Sequence, residues 1–196
     1  MRSWLIAMLA AAAVIGCARL DGGWHVKDIS GLMPDLAFNM TNDSGQAVDA
    51  QAYRDHIRLL FFGYSNCTDE CPATLARLAQ AIGSMKAGSA NVRVLFPTVD
   101  PQRDTEARLR SYLRSFGPWF VGLRGTPAQL AGLAKRYRVT YSLAKPDAHG
   151  DYEVAHSSGV FVFDGAGRAR LLIRPDDPVA AITADLDRLD LERAGR

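Results

Sequence analysis

From about residue 34 onward the apolar positions of this chain fall into two patterns. Some are short unbroken runs, and others recur every third or fourth residue. "RLLFFGY" (58–64) and "VRVLFPTV" (92–99) are unbroken, and runs of this length and composition predict buried strands. Between them Leu75, Leu78, Ala79 and Ile82 share one face of a helix predicted from about Asp69 to Met85. Asp104 to Phe116 repeats the pattern, with Leu109, Tyr112, Leu113 and Phe116 as its stripe. "FVGLRG" (120–125) predicts a strand edge, and Thr126-Pro127 starts a helix through Leu130, Leu133 and Tyr137. A hairpin follows, from "GVFVF" (159–163) through the turn Asp164-Gly165-Ala166-Gly167 to "RARLLIR" (168–174). Pro178 opens a closing helix with Val179, Ile182, Leu186 and Leu189 inward. Strand and helix alternate and end in an antiparallel hairpin plus helix, which predicts a three-layer α/β fold with a central mixed sheet.

At 196 residues the chain suits one domain plus an appendage. The first seventeen residues, "MRSWLIAMLAAAAVIGC", have a positive residue and a short apolar run, the layout of a signal peptide. Val14-Ile15-Gly16-Cys17 resembles a bacterial lipobox, so Cys17 is expected to be acylated and to become the mature N-terminus. Several acyl chains hold a domain far better than one, since each buried methylene contributes about 0.8 kcal/mol. Residues 18–33, with Gly22-Gly23 and Gly31, read as a tether to a domain over 34–192. The expected location is a bacterial cell envelope, with the domain lipid-anchored and facing the periplasm or exterior. Formal charge is +2. Arg103, Arg108, Arg110 and Arg114 stand among Asp104 and Glu106, which reads as a solvated helix face and gives no case for nucleic acid.

With Cys17 assigned to the anchor, the domain keeps Cys67 and Cys71, inside "GYSNCTDECPATL" (63–75). A domain of this length buries roughly 70% of its unfolded surface, so it needs neither metal nor disulfide to fold. In an oxidising compartment the pair could be a structural disulfide, but so short a loop would stabilise weakly. Cys67 falls in the loop leaving the first buried strand and Cys71 in the first turn of the next helix. A spacing of four puts both sulfurs on one side of a helix N-terminus, with Cα atoms ~6 Å apart. The helix end favours thiolate, whereas Asp69 and Glu70 disfavour further negative charge, a conflict that a bound cation would relieve. Two soft sulfurs select Cu(I) or Zn(II), and structural zinc wants four ligands. His25, His56 and His149 read as surface residues. His156, in "YEVAHSSGVFVF", sits just before a buried strand and is either a third ligand or a satisfied structural histidine.

"GYSNCTDECPATL", "VDPQRDT" (99–105), "FVGLRGT" (120–126), "HSSGVFVFDGAGR" (156–168) and the closing helix, in that order, resemble the Sco/SenC family over roughly residues 34–190. The resemblance implies a thioredoxin-like fold. It also implies a membrane-tethered copper chaperone, not primarily an enzyme, that serves the CuA centre of cytochrome c oxidase. The implied ligands are Cys67, Cys71 and His156, holding Cu(I), Cu(II) or both. The implied partners are the oxidase subunit carrying CuA and other periplasmic copper or thiol-redox proteins. Two positions depart from the family: Thr68, where Pro is common, and Ala155, where Asp is frequent. Asp100 in "VDPQRDT" is either a residue behind the ligands or a turn residue before Pro101.

Three other readings compete. A thiol:disulfide reductase would cycle Cys67 and Cys71 and would keep CuA cysteines reduced, but it would not need His156. A peroxiredoxin-like peroxidase would use Cys71 of Thr68-Asp69-Glu70-Cys71-Pro72 and leave Cys67 and His156 idle. A cysteine–histidine hydrolase would leave Cys71 idle and lacks an evident orienting residue.

Overall fold

A computed structural model describes residues 23–195 apart from 87 and 150. The signal segment and Cys17 lie outside the described residues.

The centre of the molecule is the apolar strand pair anticipated above. β4 (Ile57–Leu60) and β5 (Val92–Pro97) run parallel, pairing Ile57 with Val92 and Leu60 with Leu95. Strands buried on both faces can afford no polar alternation, which is why both read as continuous runs. β4 ends at Leu60, but the pairing continues irregularly, since Phe61 N–H donates to Leu95 at 3.0 Å and Gly63 bridges Thr98. The chain therefore leaves the sheet at residue 64, and the cysteine loop starts there.

β6 (Phe120–Arg124) lies parallel to β5, and β9 (Val160–Phe163) lies antiparallel to β4. β10 (Ala169–Ile173) completes the expected hairpin with β9. Two pieces were not anticipated. β2 (Asn39–Asn42) and β3 (Ala47–Asp49) form a hairpin against β6, and β1 (Lys27–Asp28) pairs with β10. The resulting mixed sheet has eight strands in the order β1-β10-β9-β4-β5-β6-β2-β3. β7 (Tyr141–Leu143) and β8 (Val154–His156) make a separate two-stranded ribbon.

Among the described residues, four α-helices cover the sheet. α1 (Glu70–Gly83) buries Leu75, Leu78 and Ile82 as expected, and α4 (Val179–Ala194) packs against it through Ile182, Leu186 and Leu189. α2 (Glu106–Arg114) sets Tyr112 against Phe96, and Tyr137 at the end of α3 (Pro127–Arg136) lies against Phe161 and Phe163. α2 starts two residues later than its periodicity implies. Thr105 caps it by accepting from Arg108 N–H at 3.2 Å, and Asp104 points the other way, into the core.

The tether assigned to 18–33 needs correcting over its described part. Val26 and Ile29 are core residues. The buried Asp185 carboxylate accepts both the His25 and Val26 backbone N–H groups, at 3.0 and 2.9 Å, and the His25 ring at 2.8 Å. An apolar pair three residues apart beside a buried acceptor is enough to dock such a segment.

Candidate metal centre

Cys67 and Cys71 are both free thiols, and the ligand atoms of Cys67, Cys71 and His156 lie within 4.8 Å of one another. Bonds of about 2.0–2.3 Å to one ion put ligand atoms no more than about 4.6 Å apart, so the set needs to contract only slightly to close on a metal. Of the four histidines, His156 alone reaches the cysteines. His25 is held by Asp185, His56 Nδ1 meets the Arg54 carbonyl at 3.0 Å, and His149 lies in an exposed loop.

The helix start explains the cysteine placement. Cys71 is the second residue of α1, where backbone N–H groups lack intrahelical partners. Asp69 stands at the N-cap but its side chain makes no capping bond. Instead Cys67 Sγ accepts the Cys71 N–H at 3.4 Å. The residue that would normally cap the helix is replaced in that task by a sulfur. Cys71 is fully buried and Cys67 partly exposed, so the site opens toward solvent on the Cys67 side.

His156 comes in from the end of β8. Its Nδ1 lies 3.1 Å from the Ser157 carbonyl, and since a carbonyl only accepts, Nδ1 carries the proton. In the neutral ring Nε2 then holds the lone pair, and it faces Cys71 Sγ at 3.2 Å. The edges of Phe61 and Tyr64 flank the ring, with centroids at 6.0 and 6.1 Å. Burial pushes the Cys71 thiol well above its ordinary range, and the neighbouring Cys67 and Glu70 push the same way against one backbone hydrogen bond. A protonated Cys71 donating its S–H to Nε2 satisfies both atoms. A soft cation would take the place of that one proton.

Residues read as solvent-facing turn out to brace this centre. Asp104 is fully buried, accepts from Ser65 N–H at 3.0 Å and Thr98 Oγ1 at 2.6 Å, and also takes the Ser65 hydroxyl. Arg108 donates to Ser65 Oγ and Asn66 Oδ1, each at 2.9 Å. Asp100 is fully buried, ion-paired with Arg103, and accepts the Tyr152 hydroxyl at 2.8 Å. Asp104 and the largely covered Arg103 therefore depart from the solvated face read from the sequence, whereas Arg108 remains on it and reaches the cysteine loop from the solvent side. No periodicity reveals this, because each arginine reaches a partner about forty residues or more away. The only sequence signal was the ordered "VDPQRDT" segment itself.

These features define a class, a thioredoxin-like α/β domain whose Cys-x-x-x-Cys pair and distant histidine form a group able to hold a soft metal. A family model described as SCO1/SenC matches residues 33–190, and the chain belongs to that family. Protein SCO2 homolog, mitochondrial, from Bos taurus is 36% identical over 132 residues, covering 66% of this chain and 50% of its own length. A SCO2-like protein of Rickettsia felis is 28% identical, covering 67% of this chain and 64% of itself. The chain thus spans between half and two thirds of these relatives. Bradyrhizobium japonicum ScoI, solved with copper bound, superposes with a TM-score of 0.72 at 33% identity, covering 79% of this chain and 98% of that one. Apo Sco1 from Thermus thermophilus gives 0.73 at 32% identity, covering 85% and 97%.

Proposed function

We propose that this protein is a membrane-tethered copper chaperone that delivers copper to the CuA centre during cytochrome c oxidase assembly. The observation that carries the reading is the 3.2 Å approach of His156 Nε2 to Cys71 Sγ with Cys67 beside them. Two thiolates and an imidazole are a soft set suited to copper, and copper is what the solved Bradyrhizobium relative holds. Three ligands with one open side suit a carrier. Such a site holds the ion while leaving room for an incoming thiolate to displace one ligand at a time. Binding deprotonates the pair, so affinity should rise with pH and proton release should accompany loading. The tether in this reading is an acylated Cys17, with the domain on the outer side of the membrane, and the recipient is the oxidase subunit carrying CuA.

The deciding experiment is titration of the reduced domain with Cu(I) and Cu(II) beside a His156→Ala variant. One tight equivalent in the wild type, strongly weakened by His156→Ala and abolished by Cys67→Ser or Cys71→Ser, supports the chaperone. If His156→Ala binds as tightly and sustains full oxidase assembly at limiting copper, the thiol:disulfide reductase takes its place. The peroxidase reading fares worse. It needs Cys71 as a ready thiolate, and burial pushes that thiol the wrong way. Mass spectrometry of membrane-extracted protein tests the anchor, and an intact unmodified 1–17 segment would defeat it.

A further inference from the structure

The ligands of the centre arrive on two pieces of chain with no strand pairing between them. Cys67 sits on the loop after β4, and His156 sits on the ribbon β7–β8, outside the eight-stranded sheet. Something must fix the distance between the two pieces, and one short segment touches both.

On the cysteine side, Asp104 takes the backbone N–H and hydroxyl of Ser65, and Arg108 grips Ser65 and Asn66, the residue before Cys67. On the histidine side, the Arg103 guanidinium is ion-paired with Asp100 and donates to the Tyr152 carbonyl at 2.8 Å. Its centre lies 3.7 Å over the Tyr152 ring and 5.8 Å over Tyr64. The Tyr152 hydroxyl returns to Asp100 at 2.8 Å. Tyr64 closes the circuit, because its hydroxyl accepts the Val154 N–H at 3.4 Å and its ring stands edge-on to His156. Val154 and His156 belong to the same three-residue strand.

We infer that the segment Asp100–Arg108 is a bracket that positions both halves of the metal centre, with Arg103 setting the place of His156 and Asp104 the place of Cys67. These are positioning residues, since none of them is a ligand. A planar guanidinium suits the post because it can pair with a carboxylate, donate to a carbonyl and lie on a ring at once, which an ammonium cannot. The inference rests on the copper reading for its main test, though its geometry is independent of any metal.

Outer partners that orient a ligand typically contribute 10–100-fold to metal affinity. Arg103→Ala is therefore expected to weaken Cu(I) binding by about tenfold or more. The midpoint of the Cys67–Cys71 dithiol–disulfide couple, read against a glutathione buffer, should stay unchanged. In a His156→Ala background the same change should weaken binding no further, because there is no imidazole left to place. Asp104→Asn should shift the dithiol midpoint as well, since it acts on the cysteine loop. Tyr152→Phe, which keeps the ring under Arg103 and removes only the hydroxyl, gives a milder version of the first comparison if Arg103→Ala folds poorly. Equal loss in both backgrounds, or no loss in either, overturns the bracket. Should His156→Ala itself bind copper normally, the chaperone reading fails and the bracket is judged on metal-free protein. There Arg103→Ala or Tyr152→Phe must speed amide hydrogen exchange at Val154 relative to β4, and unchanged exchange overturns it.

Discussion

The absence of a side chain at Gly63 leaves the space that Phe96 and the Cys71 sulfur occupy. A Cβ there would lie 2.6 Å from the Phe96 ring and 2.9 Å from Cys71 Sγ. Gly63→Ala should therefore push Phe96 or the sulfur aside, costing about 1–3 kcal/mol of stability and weakening copper binding, as thermal melts and titration would record. Cys71 carries a second prediction. Its folded thiol is held above the ordinary value of 9.0, so above about pH 9 the unfolded chain gives up a proton that the folded one keeps. Stability of the reduced, metal-free protein should fall as pH rises from about 9, by up to roughly 1.4 kcal/mol per pH unit. Buried Tyr137 and half-buried Tyr53 and Tyr112, also pushed up mainly by loss of solvent, add to the decline at higher pH. Cys71→Ser should lack the early part of that fall. An identical alkaline profile for the variant would show that the thiol is not the group responsible.

At the scale of elements, local chemistry decides what the chain reveals of itself. Thr126 and Gln129 form a reciprocal capping box on α3, with bonds of 3.2 and 2.8 Å. Thr126-Pro127 reads plainly as a helix start because threonine before proline at the first helical position is a common opening, and the capping box adds to it. Thr126→Ala should cost about 1 kcal/mol in chemical denaturation and leave copper affinity alone. The buried strands were equally legible, because apolar runs have few other uses. The β2–β3 hairpin was not, since "NMTN" and "AVD" are short and half exposed. Its signal lay in the turn, where Asn42 Oδ1 accepts from Ser44 and Gln46 and Gly45 takes φ of 79°. The candidate ligands stood out for a different reason. Cys67 and Cys71 lie four positions apart in one motif, and His156 was drawn in by the ordered family motifs. The bracket escaped because its contacts join residues that share no helical face and no strand alternation.

For the molecule as a whole, the N-terminal segment is structural. Trp24 lies under Arg188 and Arg170, at 4.2 and 5.1 Å, while Asp185 holds His25 and Val26. Removing residues 1–29 should strand the buried Asp185 carboxylate and strip β1 from the sheet edge. A loss of a few kcal/mol is expected, with copper affinity of the remaining folded protein unchanged. Equal stability of the two forms in urea would refute a docking role. The ribbon β7–β8 has the opposite character, because it shares no ladder with the main sheet. Its consequence is one of timing. Cys71 is held in the core by α1, while Cys67 lies on a partly exposed loop. The imidazole can swing out by a local opening that leaves the core intact. In the proposed copper carrier the nitrogen is therefore expected to leave before the buried Cys71 sulfur, so that opening of the ribbon, and not of the core, sets how long the ion stays.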